Sequence, residues 1–239
     1  MVAIVSASVP LTISNQGLND RVMELLERVD YRLAQTAEDR DAVFRLRYRA
    51  YLREGAIAPN DAEVFCDNFD ETENVWIFGV HIEGELAASI RLHVATATAR
   101  ELPALKVFPD ILLPAINAGK TVIDPTRFVA DRAASRRFPG LCYVTTRLAW
   151  LASEYFNTNL LLATVRHEHQ AFYRRVFGHR PICEPRHYPS LTKPICMMAL
   201  DYALGKSRVL QQHPFFRSTH FERRMLFGRH AEAGLRSAA

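Results

Sequence analysis

The sequence predicts an α+β sandwich: a mixed, mostly antiparallel sheet with helices on both faces. Three observations predict it. Segments of strand and helix period follow one another in the order β, α, β, β, β, α, β, α, β. Two of the strands face each other across Glu83-Gly84-Glu85, a hairpin turn. A third strand, Leu160 to Val165, is apolar on both faces, so it is central and covered on both sides.

The elements follow in order. Residues 1–18 read as irregular. Asn19-Asp20 caps a short helix to about Val29, with Val22, Leu25, Leu26 and Val29 as its apolar stripe. Tyr31 to Ala34 is a short strand. Thr36 with Asp39 forms a capping box, and the helix it opens runs to about Glu54, where Gly55 stops it. Val43, Leu46, Arg47, Ala50 and Tyr51 share one face of that helix, so Arg47 projects from the apolar side. Val75 to Ile82 and Leu86 to Val94 form the hairpin. In its second strand Leu86, Ala88, Ile90, Leu92 and Val94 lie on one face, and Ala87, Ser89, Arg91 and His93 on the other. Residues 95–120 read as irregular, with one short helix near Pro109 to Ala118. Thr121 to Val129 is a strand holding Pro125. Proline cannot donate to a ladder, so the strand is bulged or parted from a neighbour there. Leu141, Val144, Leu148, Leu151, Ala152 and Tyr155 give a strong helical period. A helix from about Glu168 to Phe177 and a strand or short helix over Pro194 to Leu204 complete the chain.

At 239 residues and 49% hydrophobic content, the chain buries a substantial core and is not disordered. Residues 30–204 read as the main domain, 1–29 as an extension with a short helix, and 205–239 as a basic extension. No apolar run reaches the ~18 residues of a membrane helix. The four cysteines, Cys66, Cys142, Cys183 and Cys196, are scattered, as in a cytoplasmic protein with reduced thiols. The net charge of +4 is uneven, with seven basic and two acidic residues from Lys206 to Ala239. A basic tail attracts acidic partners, although a solvated helix carries the same pattern. No nucleic-acid motif accompanies it. His167-Glu168-His169 lacks metal-ligand spacing and reads as a helix start, so no metal is expected.

The charged residues are the most informative. Arg47, then Asp67 and Asp70, then Arg91, then Asp124 and Arg127 fall where the local period points inward. Isolated charges are almost never buried unpaired, so the set builds a site or a buried ion network. By position Arg127 points away from Asp124 unless a bulge rotates it. Arg137-Phe138-Pro139-Gly140-Leu141-Cys142 lies between a strand and a helix, where free amides and the positive helix end suit a phosphate.

Strand order, the disrupted fourth strand and the R-x-x-G turn resemble the GNAT N-acyltransferase fold, whose central strands splay apart. The motifs Leu46-Arg47-Tyr48-Arg49-Ala50-Tyr51, Asp67-Asn68-Phe69-Asp70, Ser89-Ile90-Arg91-Leu92 and Asp124-Pro125-Thr126-Arg127-Phe128 resemble those of acyl-homoserine lactone synthases. They are more similar to those of the long-chain N-acyl amino acid synthases (FeeM-like). His169-Gln170-Ala171-Phe172-Tyr173-Arg174-Arg175, Phe177-Gly178 and Tyr188-Pro189-Ser190-Leu191 resemble the amino acid synthases too. The resemblance covers roughly residues 30–204. There are departures. Homoserine lactone synthases usually carry glutamate at Asp124 and a tryptophan near Gly55-Ala56-Ile57, and its absence argues against S-adenosylmethionine. Cys142 replaces the usual glycine or alanine, which argues against coenzyme A.

The resemblance implies an N-acyltransferase that joins a long-chain fatty acyl group to the amine of an amino acid or similar small molecule. It implies no bound cofactor, with an acyl thioester of acyl carrier protein or coenzyme A as co-substrate. Asp124 would take the proton of the amine through a water, with Thr126 orienting that water or the amine. Tyr173 would protonate the leaving thiolate or simply pack. Phe128, Val129, Arg137, Gly140, Leu141 and Cys142 would hold the thioester arm. Arg47, Asp67, Asp70, Arg91 and Arg127 would shape the site or clamp the loop around residues 57–73. An acyl chain between the splayed strands would gain ~0.8 kcal/mol per buried methylene. Arg217, Arg223, Arg224 and Arg229, with Phe215, Phe216 and Phe221, would dock an acidic acyl carrier protein. The alternatives are an acyl-homoserine lactone synthase and a non-catalytic acyl-binding or interaction module.

Overall fold

The structure, a computed structural model, describes residues 15–188, 192 and 194–236. Residues 1–14, Pro189-Ser190-Leu191 and the side chain of Arg229 lie outside the described residues.

The chain runs α1 (Asn15–Leu26), β1 (Val29–Leu33), α2 (Ala37–Arg53), β2 (Val75–Ile82), β3 (Glu85–Ala95), α3 (Pro109–Asn117), β4 (Val122–Ala130), α4 (Arg132–Arg137) and α5 (Leu141–Tyr155). It continues through β5 (Leu160–Val165), α6 (Gln170–Val176), β6 (Arg180–Pro181), β7 (Cys196–Asp201), α7 (Tyr202–Gln212) and α8 (His220–Arg236). Among the described residues the strands form one sheet of order β1-β2-β3-β4-β5-β7-β6. The β4–β5 pair is parallel and the others are antiparallel.

Local chemistry explains the boundaries. The capping box forms: the Asp39 N–H donates to Thr36 Oγ1 at 3.1 Å, and the Thr36 N–H to Asp39 Oδ2 at 3.2 Å. The hairpin turns in two residues, Glu83 and Gly84, both left-handed at φ 56° and 85°. α1 starts four residues before the expected Asn19 cap and ends at Leu26, so β1 begins at Val29 rather than Tyr31.

Two irregularities shape the sheet. The first falls at Val80/His81, where Val80 pairs with Ala88 and His81 with Leu86. Ala87 is the extra residue, so it packs in the main core, while Leu86 turns to the α2 side. This reverses the faces expected for those two residues. The second lies in β4. Arg91 pairs with Thr126 but Ser89 with Val129, and Arg127 between them adopts φ 53°. The bulge therefore sits two residues beyond Pro125. The parting sits nearer the proline: β4 pairs with β5 only at Val122 and Ile123. β5 is instead held along its whole length by β7.

The two faces carry different cores. One is covered by α1, α5, α8 and the turn Pro214–Phe216. Trp150 of α5 lies at its centre, against Tyr202 at 4.8 Å, Phe216 at 5.7 Å and Phe177 at 5.8 Å between ring centroids. The other face is covered by α2, the turn Pro103–Lys106 and α3.

The basic tail differs from a free docking arm. Phe215, Phe216 and Phe227 are buried in the main core. Arg147 of α5 fixes the segment, donating to the carbonyls of Phe215 and Arg217 and to the Glu222 carboxylate. Phe215 and Phe216 therefore cannot meet a partner, because the apolar face of α5 needs them. Among the described residues no helix is long and apolar enough to cross a membrane.

Candidate active site

The charged residues converge. Arg47 reaches from the buried face of α2, and its Nη1 lies 2.8 Å from Asp70 Oδ1. Arg91 on β3 lies 3.0 Å from the same oxygen and 2.6 Å from Asp67 Oδ1. Arg127 donates to Asp67 Oδ2. Asp67 and Asp70 are themselves tied by a capping box over the turn Asn68–Asp70. The network therefore clamps the loop before β2 onto the sheet. Two carboxylates face three guanidiniums. Arg47 and Arg127 also lie over aromatic rings, Phe44 at 5.1 Å and Phe65 at 4.2 Å, which offset part of the buried charge. Burial alone would raise the acids of Asp67 and Asp70. The adjacent guanidiniums outweigh it and hold both below the usual carboxylate range.

Where β4 and β5 part, a cavity of about 80 Å³ opens. Its wall includes Arg91, Asp124, Thr126, Arg127, Phe128, Thr164, Arg166, His169, Tyr173 and Tyr188. Pro125, Thr126, Thr164, Val165, Arg166 and Tyr188 are half-buried and mark the side facing solvent. The bulge brings Arg127 to the same cavity as Asp124, which strand alternation alone would not do. A smaller space of about 20 Å³ continues behind Pro125, Phe128 and Tyr173, lined also by Leu161, Leu162 and Phe177.

Asp124 is fully buried in the cavity wall. Its Oδ2 accepts the Ala104 N–H at 3.0 Å and its Oδ1 accepts the Thr164 hydroxyl at 3.3 Å. Burial pushes its acid up to about 6, against the pull of the Ala104 amide and Arg91. A carboxylate tuned near neutrality suits proton transfer. His93, opposite Asp124 in the ladder, is held neutral by burial and by Arg91, and its Nε2 is bound to the Phe69 carbonyl. Thr126 Oγ1 accepts from Arg91 Nε at 3.0 Å. Tyr173 is buried between the cavity and the rear space, and burial raises its phenol.

Two expected groups do not join. Val129 points away into the α2 core with Leu46 and Tyr51, whereas Phe128 lines the cavity. The turn Arg137–Cys142 lies elsewhere, beneath α1. A Cβ on Gly140 would come within 3.2 Å of Leu25 and 3.4 Å of Val22. The Leu141 and Tyr143 amides are used within the turn, on Phe138 and Gly140 carbonyls. Leu141 is buried, burial pushes the Cys142 thiol up to about 12, and exposed Arg137 pairs with Glu83. α1 packs against this turn, and Arg137, Phe138, Pro139 and Gly140 line a separate surface space with Arg21 and Arg28, away from Asp124.

Thr164 and Arg166 line the cavity but escaped the sequence reading, and Tyr188 reads there only as part of a motif, with no role. Thr164 hides in an apolar strand. Arg166 follows it and pairs with Glu54 at 2.6 Å. Among the described residues no cluster of His, Cys, Asp and Glu has the makings of a metal site.

Solved structures share this architecture. The structure of FeeM, an N-acyl amino acid synthase from uncultured soil microbes, superposes with a TM-score of 0.65 at 20% identity, over 77% of this chain and 97% of that one. TofI, in a ternary complex with an inhibitor and MTA, gives 0.56 at 14% identity over 80% and 100% of the chains. The AHL synthase LasI gives 0.54 at 12% identity over 75% and 95%. No curated protein matches the chain by sequence. The fold shared with these structures is GNAT-like, and a family match supplies the class, an acyltransferase that moves an acyl group to an amine. A profile described as N-acyl amino acid synthase FeeM matches residues 42–201, and the chain belongs to that family.

Proposed function

We propose that the enzyme joins a long-chain fatty acyl group, delivered as a thioester, to the amine of an amino acid, with Asp124 as general base. The observation that carries this reading is the buried Asp124 carboxylate, its acid near 6, in the cavity at the β4–β5 parting. The ammonium of the acceptor loses a proton toward Asp124. Its lone pair attacks the thioester carbonyl, the C–S bond breaks, and the second nitrogen proton is passed by way of Tyr173 to the leaving thiolate. Tyr173 lies in the same cavity and supplies a hydroxyl for the leaving thiolate. β4 residues past Ile123 have no β5 partner, so their amides are placed to receive the developing oxyanion, an effect of about 3 kcal/mol per donor.

The rear space of about 20 Å³ is the entrance to the acyl slot. It is near the size of one water, so a long chain must part Phe128, Tyr173 and Phe177. The donor's carrier is acyl carrier protein or coenzyme A. Of the tail residues named for carrier docking, Arg217, Phe221 and Arg224 stay exposed. The four cysteines are unpaired, which suits the cytoplasm.

Expression in a bacterial host, with mass spectrometry of the organic extract, tests the reading. Wild type should yield an N-acyl amino acid without releasing methylthioadenosine from S-adenosylmethionine. Asp124→Asn should lower kcat by about 100-fold or more while keeping the melting curve. Equal product from the two proteins would remove Asp124 from the chemistry.

A further inference from the structure

Asp124 is fully buried in the cavity wall. One of its oxygens is committed to the Ala104 amide, at 3.0 Å. The other meets a single hydroxyl, that of Thr164, at 3.3 Å. Thr164 is half-buried and lines the cavity, so it stands between the carboxylate and the space where substrates meet. Its place is fixed by pairing with Met197 in the β5–β7 ladder. The Asp124–Thr164 hydrogen bond thus crosses the gap where β4 and β5 no longer pair through their backbones.

We infer that Thr164 is a proton relay for the acyl transfer, a role that rests on Asp124 being the base. The ammonium of the acceptor gives a proton to Thr164 Oγ as the Thr164 hydroxyl proton passes to Asp124 Oδ1. The freed lone pair then forms the C–N bond; as the C–S bond breaks, the thiolate takes a proton from Tyr173 or water, and the second ammonium proton leaves the nitrogen to replace it. After release, the proton on Asp124 returns by the same path. Thr126, on the same strand as Asp124, is less suited because Arg91 occupies its oxygen as acceptor. The other charged and titratable groups lining the cavity are Tyr51 from α2, Arg91 from β3, Arg127 from the bulge, Arg166 and His169 beyond β5, Tyr173 from α6, and Tyr188. His93 is the neutral ladder partner of Asp124. Among the described residues none of these side chains donates a hydrogen bond to the carboxylate; Thr164 does.

The test compares Thr164→Val with Thr164→Ser, using a fatty acyl thioester and an amino acid. Val keeps the shape and loses the hydroxyl; Ser keeps the hydroxyl. T164V should lose about 100-fold in kcat with KM nearly unchanged, and T164S should stay within about five-fold of wild type. The acid limb of the pH profile should move upward in T164V, because a donor that stabilises the ionised carboxylate is gone. In mixtures of light and heavy water, kcat should fall along a curve for wild type, from two protons in flight, and along a line for T164V. If T164V keeps wild-type kcat while D124N is inactive, the relay is wrong and the base stands. If D124N is fully active, the base reading fails first. Should T164V melt abnormally, T164A replaces it in the same comparison. A T164S enzyme as slow as T164A also overturns the relay.

Discussion

At the scale of single residues, environment decides what each charge can do. Arg47 and Asp70 are buried together, so removing one strands the other. Arg47→Ala should cost about 3–5 kcal/mol, read from denaturant midpoints. Arg47→Met, which keeps the stem against Phe44, should cost less only when combined with Asp70→Asn. The Asp124 acid is raised to about 6. The proposed base role needs its ionised form, so under that role kcat/KM should fall as pH drops through about 6, and the limb should vanish in Asp124→Asn. The sign for folding is opposite. A carboxyl that binds its proton more tightly folded than unfolded opposes folding above its ordinary value near ~4, and opposes it less as pH falls. Arg47 was legible because its helix showed a charge on an apolar face. Thr164 was not, because a strand apolar on both faces gives no sign that one hydroxyl faces a cavity. Nor does any local pattern reveal that the Ala104 amide, far along the chain, closes on Asp124.

At the scale of elements, the hairpin, the capping box and the interrupted β4 could all be read from turn and cap chemistry. The bulge position could not. Pro125 announced a disruption, but the register against β3 placed the extra residue at Arg127. Nor could the surroundings of the Arg137–Cys142 turn be read locally, since they depend on α1 packing from elsewhere in the chain. Gly178 shows a constraint of the same order. It ends α6 at φ 81°, and a Cβ there would strike the guanidinium of Arg208. Gly178→Ala should cost about 1 kcal/mol or more in a thermal melt, and Arg208→Ala should relieve only the contact and not the backbone part.

At the scale of the whole molecule, the flanking segments belong to the central core. Val22 and Leu25 from α1, and Phe215, Phe216 and Phe227 from beyond α7, sit in one cluster with Trp150. In the sequence, Phe215 and Phe216 read as a docking surface together with the tail arginines, whereas packing claims both for the core. A chain ending at Gly205 should therefore fail to give a cooperative melt by circular dichroism, rather than fold and merely bind its donor less well. A truncated protein with the wild-type melting profile would show the segment to be dispensable. The arrangement has a consequence for biosynthesis. Phe215, Phe216 and Phe227 leave the ribosome well after the α5 surface they cover. The nascent polypeptide must carry that greasy ridge bare until translation has passed them, so the interval before they emerge is when the protein most needs a chaperone.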